Sequence, residues 1–339
     1  MDRTITLSID AMGGDHGLKT TLDAALLSLR ASPNLRLIMI GDEPALVAAF
    51  AHAAESERAR IECVHASEVV AMDESPSKAL RNKKDSSMRV AINLVKEGRA
   101  QGAVSAGNTG ALMATAKFVL KTLPGIDRPA ICAPMPSSKG RPYMLDLGAN
   151  AECTPAQLTQ FAVMGSALVT ALHGIAAPRV ALLNIGEEEI KGNDAIKAAA
   201  ADLKQSKLNY IGYVEGDGIF RGEADVVVCD GFIGNIALKT GEGVAKLVRD
   251  FMKAEFLATP FSKLAALIAK PVLTRLAARI DPRNYNGAAL LGLNGLVIKS
   301  HGGADAASFA NAIAVASHAV EHDLIGRTRG LIAAAAAAP

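Results

Sequence analysis

The chain has 339 residues, 50% of them apolar and 21% charged, with a formal net charge of +2. This supplies ample material for a core, excludes intrinsic disorder, and suggests about two domains or one large one. Aromatic residues make up only 4% and Trp is absent, which argues against a single-strand nucleic-acid binder, and so small a charge gives no ground for a polyanion partner.

In chain order, short apolar runs alternate with helical patterns. Residues 4–10 (TITLSID) read as a strand and 20–29 as a helix; 35–41 (LRLIMIG) as a strand and 43–54 as a helix; 60–66 (RIECVHA) as a strand and 86–98 as a helix. Residues 102–106 (GAVSA) read as a strand leading into a helix over 109–121. Residues 129–135 and 142–148 read as two strands with a turn between them. A helix over 155–172, a strand over 179–186, a helix over 194–205, strands over 208–214 and 225–231, and a helix after Gly234 follow. This order predicts a three-layer α/β fold whose sheet is mostly parallel, and mixed where the strands of 129–148 lie back to back. No linker divides the chain, so residues 1–330 are expected as a single α/β domain, of one lobe or two. Residues 243–280 break the alternation with two helical patterns and no strand, predicting a protruding helical hairpin. Residues 331–339 form an Ala-rich, helix-prone tail expected to fray.

No apolar run reaches ~18 residues, and glycines interrupt the N-terminus early, so neither a transmembrane helix nor a signal peptide is expected. Cys63, Cys132, Cys153 and Cys229 form no C-x-x-C pair, and no His is read at zinc-ligand spacing. The expectation is free thiols in a reducing cytosol, with no metal and no cofactor.

In open α/β sheets, ligands bind beyond the C-terminal ends of strands. Six presumed strand ends carry glycine beside polar residues: DAMGGDHG (10–17), GNTG (107–110), GANAECTP (148–155), GEEEIKGND (186–194), DGFIGN (230–235) and SHGGAD (300–305). Glycine lets the backbone approach a ligand, and helix N-termini attract anions. Any one loop reads equally well as a tight turn before a capped helix, with Asn108 or Thr109 as one such cap. Six on one presumed edge tilt the balance toward a phosphate site. His16 and His301 read as hydrogen-bonding loop residues before they read as bases. Glu187, Glu188 and Glu189 read as surface charges. The nucleotide fingerprints G-x-G-x-x-G and G-x-x-x-x-G-K-[ST] are absent, as is the G-x-S-x-G elbow. The run 75–89, with Lys78, Arg81, Lys83, Lys84 and Arg89, is either a solvated helical face or a docking patch for an acidic partner or phosphate.

Taken together, IDAMGGDHG (9–17), SAGNTGALMA (105–114), LLNIGEEEIKGN (182–193), GEADVVVCDGFIGNIALKT (222–240), NGAALLGLNGLVIKSHGGAD (286–305) and FANAI (309–313) resemble the PlsX family, the acyl-[acyl-carrier-protein]:phosphate acyltransferases. The resemblance runs in order along nearly the whole chain. One position departs: Gly218 stands where the family pattern has an acidic residue after EG. The resemblance implies an isocitrate/isopropylmalate dehydrogenase-like, phosphotransacetylase-like fold and a homodimer at the cytoplasmic membrane surface. It implies transfer of a long-chain acyl group from acyl-carrier protein to inorganic phosphate, the acyl phosphate then feeding a glycerol-3-phosphate acyltransferase in phospholipid synthesis.

That chemistry is consistent with the residues. A thioester has a good leaving group, since a thiol pKa near ~8.5 needs little acid help, and phosphate is its own nucleophile. The site must align a dianion on the carbonyl and stabilise the oxyanion. Matched to the family motifs, Lys191 and Asn235 become the catalytic pair, Asn235 reading equally as a helix cap. Gly107, Asn108 and Thr109 bind phosphate or carbonyl, and Asp10, Gly13, Gly14, Asp15, Ser105, Gly110, Asn193 and His301 complete the substrate site. Lys78, Arg81, Lys83 and Lys84 become the carrier-protein dock. At the hairpin turn, Phe256, Leu257 and Phe261 beside Lys253 and Lys263 make a membrane-contacting tip; the competing reading buries the arms and tip in a dimer. The rivals are a short-chain phosphotransacylase acting on acyl-CoA, a dehydrogenase of the same fold class, and a non-enzymatic membrane-docked scaffold.

Overall fold

The computed structural model describes residues 4–336, without the side chains of 278–280, 282, 335 and 336. Its strands are β1 (Ile5–Asp10), β2 (Leu35–Gly41), β3 (Ile61–His65), β4 (Gly102–Ser105), β5 (Ala130–Pro134), β6 (Tyr143–Leu145), β7 (Arg179–Leu183), β8 (Asn209–Val214), β9 (Val226–Val228), β10 (Ala288–Leu291) and β11 (Leu296–Lys299). Its helices are α1 (Gly17–Ala31), α2 (Glu43–Phe50), α3 (Glu55–Arg58), α4 (Pro76–Asn82), α5 (Ser87–Lys96), α6 (Thr109–Leu120), α7 (Pro155–His173), α8 (Asp194–Gln205), α9 (Gly216–Arg221), α10 (Gly231–Leu257), α11 (Pro260–Ile280), α12 (Ala306–Glu321) and α13 (Leu324–Ala336). The Ala-rich tail is therefore helical through Ala336, and residues 337–339 lie outside the described residues.

All eleven strands join one sheet in the order β3-β2-β1-β4-β11-β10-β5-β6-β9-β7-β8. The central strands are fully buried and apolar up to their ends, where β4 closes on Ser105 and β11 on Lys299: β4, β6, β9 and β11 have no exposed residue, as strands covered by helices on both faces must. Large side chains such as Leu7, Ile9, Phe161 and Phe309 fill the space between sheet and helices. Adjacent strands run parallel except at three junctions: β11 with β10, β10 with β5, and β5 with β6. Three reversals leave β6, β9, β7 and β8 antiparallel to β1–β4 and β11. The expected three-layer, mostly parallel, mixed sheet is present. The expectation of six loops on one edge is corrected, because strand direction flips within the sheet. The loops after β1, β4 and β11 emerge at one edge, and those after β6, β7 and β9 at the other.

The hairpin starts earlier than residue 243. α10 is one helix of 27 residues, about 40 Å long at ~1.5 Å per residue, and only its distal part extends beyond the sheet layer. Thr259 caps α11, accepting from the Ser262 amide, with Pro260 in the first turn. Proline fits there because the first amides of a helix have no internal acceptor.

Candidate functional site

Three of the six loops knit together at the first edge. Asp10, buried at the end of β1, accepts from the hydroxyls of Ser87 and Ser105 (2.6 Å each) and from the Gly13 amide (3.1 Å). Ser105 Oγ accepts from the Gly107 amide at 3.0 Å. The Asp15 amide donates to the Gly302 carbonyl at 2.9 Å. Gly14 has φ +92°, and a Cβ there would stand 2.9 Å from Ala106 Cβ, so the first loop can lie on the second only because this position is glycine. Burial holds the Asp10 pKa above the usual carboxylate range, its hydrogen bonds offsetting only part of the rise.

The side chains the sequence singled out here are mostly spent on structure. Asn108 caps α6: Oδ1 accepts from the Ala111 amide (2.9 Å), while Nδ2 donates to the carbonyls of Met72 (2.7 Å) and Glu74 (3.0 Å). His301 Nδ1 accepts from the Gly303 amide (3.1 Å). What faces outward is the exposed first turn of α6 at Thr109 and Gly110, where amides have no helical acceptor. The sequence reading missed Lys299. It is buried, and its Nζ donates to the carbonyls of Ala106 (3.1 Å) and Ser300, tying the second loop to the third. Burial pushes its pKa down to about 8 against the pull of Asp10 and Asp15, and Lys239 on α10 adds repulsion. The only signal in sequence was a lysine ending an otherwise apolar strand.

The other three loops assemble at the opposite edge. Asp146, buried after β6, accepts from the amides of Ile131 (2.9 Å), Ala149 (3.1 Å) and Asn150 (2.7 Å) and from Asn150 Nδ2 (2.9 Å). Asp230, not Asn235, caps α10, accepting from the Ile233 amide at 2.8 Å. A Cβ on Gly234 would stand 1.8 Å from the Asp146 carbonyl oxygen, so α10 begins pressed against the end of β6. Asn235 is exposed and lies beside Gly148, its amide making no hydrogen bond among the described residues. Lys191 is also exposed; its stem lies over Gly186, and its ammonium makes no ion pair among the described residues. Beneath it, buried Asn184 donates to the Gly186 carbonyl (3.0 Å) while its Oδ1 has no partner. The sequence reading missed Asn184 as well. Gly192, at φ +89°, leaves room for that oxygen. Asn193 caps α8 through the Ile196 amide (2.9 Å). Glu187, Glu188 and Glu189 are exposed, Glu189 paired with Lys204.

Distance decides how the two groups relate. Six strand spacings separate β4 from β7, about 29 Å at ~4.8 Å each. Along the sheet Lys191 therefore stands far from the α6 cradle, whereas α10 reaches it: Met113 of α6 packs in one apolar cluster with Ala149, Ala237 and Leu238, and Lys239 is close enough to repel Lys299.

The remaining sequence candidates lie elsewhere. Lys78 and Arg81 are exposed on α4; Lys83 follows it 3.9 Å from Glu68, and Lys84 is exposed. Leu257 and Phe261 stand 54% and 81% exposed at the hairpin tip, while Phe256 is half-buried. At Gly218 a Cβ would stand 2.3 Å from a Glu223 carboxylate oxygen, so Glu223 fills the space that an acidic residue at 218 would need. The sequence reading of histidine spacing is also corrected. His318 on α12 and His322 at its C-cap are four residues apart, a ligand spacing that becomes visible once the run is known to be helical.

The fold is that of the phosphotransacylases. A phosphotransacetylase from Streptococcus pyogenes superposes with a TM-score of 0.61 at 19% identity, covering 94% of each chain. A 4-hydroxythreonine-4-phosphate dehydrogenase from Klebsiella pneumoniae has the same fold, with a TM-score of 0.52 at 14% identity over 95% of this chain and 99% of that one. Sequence is more specific. A profile of the family described as "Fatty acid synthesis protein" matches residues 5–327. The phosphate acyltransferase of Alkalilimnicola ehrlichii is 62% identical over 319 residues, 93% of this chain and 92% of that protein. The phosphate acyltransferase of Legionella pneumophila strain Paris is 53% identical over 97% of both chains. The chain belongs to the phosphate acyltransferase family and is an acyl-transferring enzyme.

Proposed function

We propose that the protein transfers a long-chain acyl group from acyl-carrier protein to inorganic phosphate, releasing free carrier protein and an acyl phosphate for phospholipid synthesis. The observation that carries the reading is the presence of Lys191 on the loop after β7 and Asn235 near the start of α10, two exposed polar side chains without partners among the described residues, in segments that match the family motifs. Lys191 would neutralise phosphate or the oxyanion, and Asn235 would donate to the same centre. The first turn of α6 supplies an anion cradle, which buried Lys299 holds in shape and backs with its charge. Oxyanion donors of this kind are typically worth ~100–1,000-fold in turnover. The test is acyl phosphate formation from acyl-carrier protein and phosphate without added metal or NAD. Activity only with acyl-CoA would favour the short-chain phosphotransacylase, and no turnover would favour the scaffold.

The six strand spacings between the Lys191 strand and the cradle strand support a homodimer with shared sites. A two-fold axis that brings one protomer's Lys191 to its partner's cradle yields two complete sites. Exposed Ile185, Ile190, Phe232 and Ile236 surround the catalytic pair, and Val244, Leu247, Phe251, Leu264 and Ile268 extend an apolar face along the hairpin. Such a face is unstable in water unless covered.

The tip supports reversible membrane contact. No helix among the described residues is long and apolar enough to cross a membrane, but Leu257 and Phe261 beside Lys253 and Lys263 suit an anionic lipid surface, near the downstream acyltransferase. Leu257→Glu with Phe261→Glu should abolish co-sedimentation with anionic vesicles; unchanged binding would move the anchor elsewhere. Carrier docking at Lys78, Arg81, Lys83 and Lys84 is tested by charge reversal at Lys83 and Lys84, which should raise the KM for acyl-carrier protein and flatten its salt dependence.

A further inference from the structure

α12 packs its apolar side against the sheet, and its N-cap, Asp305, closes the third loop of the cradle. At its other end, 16 residues and about 24 Å away at ~1.5 Å per residue, stands the sequence His318-Ala319-Val320-Glu321-His322. Residues three and four apart share one face of a helix. The two imidazoles meet there, with Nε2 atoms 2.9 Å apart and ring planes at 78°. The ligand atoms of His318, Glu321 and His322 all lie within 4.8 Å of one another. Neither histidine takes part in the acyl-transfer chemistry.

We propose that His318, Glu321 and His322 form a surface binding site for a late first-row divalent cation, held by two imidazole nitrogens and a carboxylate oxygen with water completing the shell. Donor type supports this: imidazole with carboxylate suits Ni²⁺, Cu²⁺ and Zn²⁺, whereas an all-oxygen shell would suit Mg²⁺ or Ca²⁺. Geometry narrows it. Two nitrogens 2.9 Å apart, each ~2.1 Å from one ion, subtend about 90° at that ion. That is the angle between neighbouring positions of a six-coordinate or square-planar shell; a tetrahedral ion would need the nitrogens near ~3.4 Å apart. Position adds to it, since the C-terminal end of a helix carries partial negative charge and favours a cation. The cation takes the place of the hydrogen that one Nε2 donates to the other; that ring shifts to its Nδ1–H tautomer through solvent, so both imidazoles ligate as neutral rings with no net loss of a proton. Binding here fastens the last turn of α12 without touching the cradle.

The test is calorimetric titration of the full chain with Ni²⁺ alone. Ni²⁺ is the better probe because the four free cysteines would compete more strongly for Zn²⁺. The expected result is a site of one ion per chain, weakened about tenfold or more in His318→Gln and in His322→Gln, and less in Glu321→Gln, given that even outer-shell partners are worth ~10–100-fold. Acyl transfer by the metal-free variants should equal that of the parent, which also reports their folding. Saturating Ni²⁺ should raise the parent's Tm and leave that of His322→Gln unmoved. Equal Ni²⁺ affinity and stoichiometry in the parent and the His318→Gln, His322→Gln double variant would overturn the proposal, as would an equal Tm shift.

Discussion

The two edges of the sheet are built on the same device and put to different use. Each has a buried aspartate at a strand end, Asp10 after β1 and Asp146 after β6, whose carboxylate gathers the amides and side chains of neighbouring loops. At the first edge nearly every polar side chain is consumed internally: Ser105 on Asp10, Asn108 on the α6 cap, Lys299 on two carbonyls. What is left to face a ligand is backbone. At the second edge Lys191 and Asn235 stand free. A cradle of backbone amides holds a fixed anion well, while a free ammonium and amide can meet charge that develops elsewhere. The difference suits one half for holding phosphate and the other for acting on the thioester carbonyl.

The largest expected effect falls on the second edge. Lys191→Ala and Asn235→Ala should each lower turnover ~100–1,000-fold, with Tm almost unchanged because neither side chain supports its neighbours. Near-parental turnover in both folded variants would break the comparison at its functional end. The next effect separates the edges between protomers. Lys191→Ala mixed with Gly107→Val, each inactive alone, should regain about a quarter of parental activity if subunits exchange at random, because half the dimers then hold one intact site. Silence after verified exchange would remove the shared site.

The first edge should respond in stability as well as in activity. A Cβ at Gly107 would stand 2.6 Å from Met88 Cε and 3.2 Å from Ser105 Oγ. Gly107→Ala should therefore cost about 1–3 kcal/mol by overpacking, read in chemical denaturation. A loss of activity at unchanged stability would mean that this edge is less tightly built than its hydrogen bonds imply. The smallest effect concerns pH. Lys299 carries its charge in the fold only below about 8. The KM for phosphate should rise as pH passes upward through that value, and Lys299→Met should show the raised KM throughout. Stability moves the opposite way. The unfolded chain holds this proton up to the usual lysine range, so between about 8 and that range stability rises with pH. Lys299→Met should flatten that rise.

Much of this was legible in the sequence because it depends on local pattern. Buried parallel strands read as continuous apolar runs, so β1, β2 and β4 were found within a residue or two, while β7 stops three residues before the end of its run. Pro260 after Thr259 marked the hairpin turn. The glycine loops marked the strand ends, and their motifs carried the family. Short helices such as α3 and α9 were missed because four and six residues give too little periodicity to count. Asn108 could be read as a cap because capping is decided within three residues. Tertiary structure alone decided which loops share an edge, since strand direction depends on how distant segments pair, and three antiparallel junctions near the middle of the sheet reverse everything beyond them. It decided, too, that Lys299 ties two loops and that Asn184 lies under the Lys191 loop, because a lysine or asparagine at a strand end looks the same in sequence whether it faces water or two buried carbonyls. The sequence set the parts and their chemistry through nearest neighbours; which parts meet was left to pairings between strands as distant in the chain as Gly102 and Leu296.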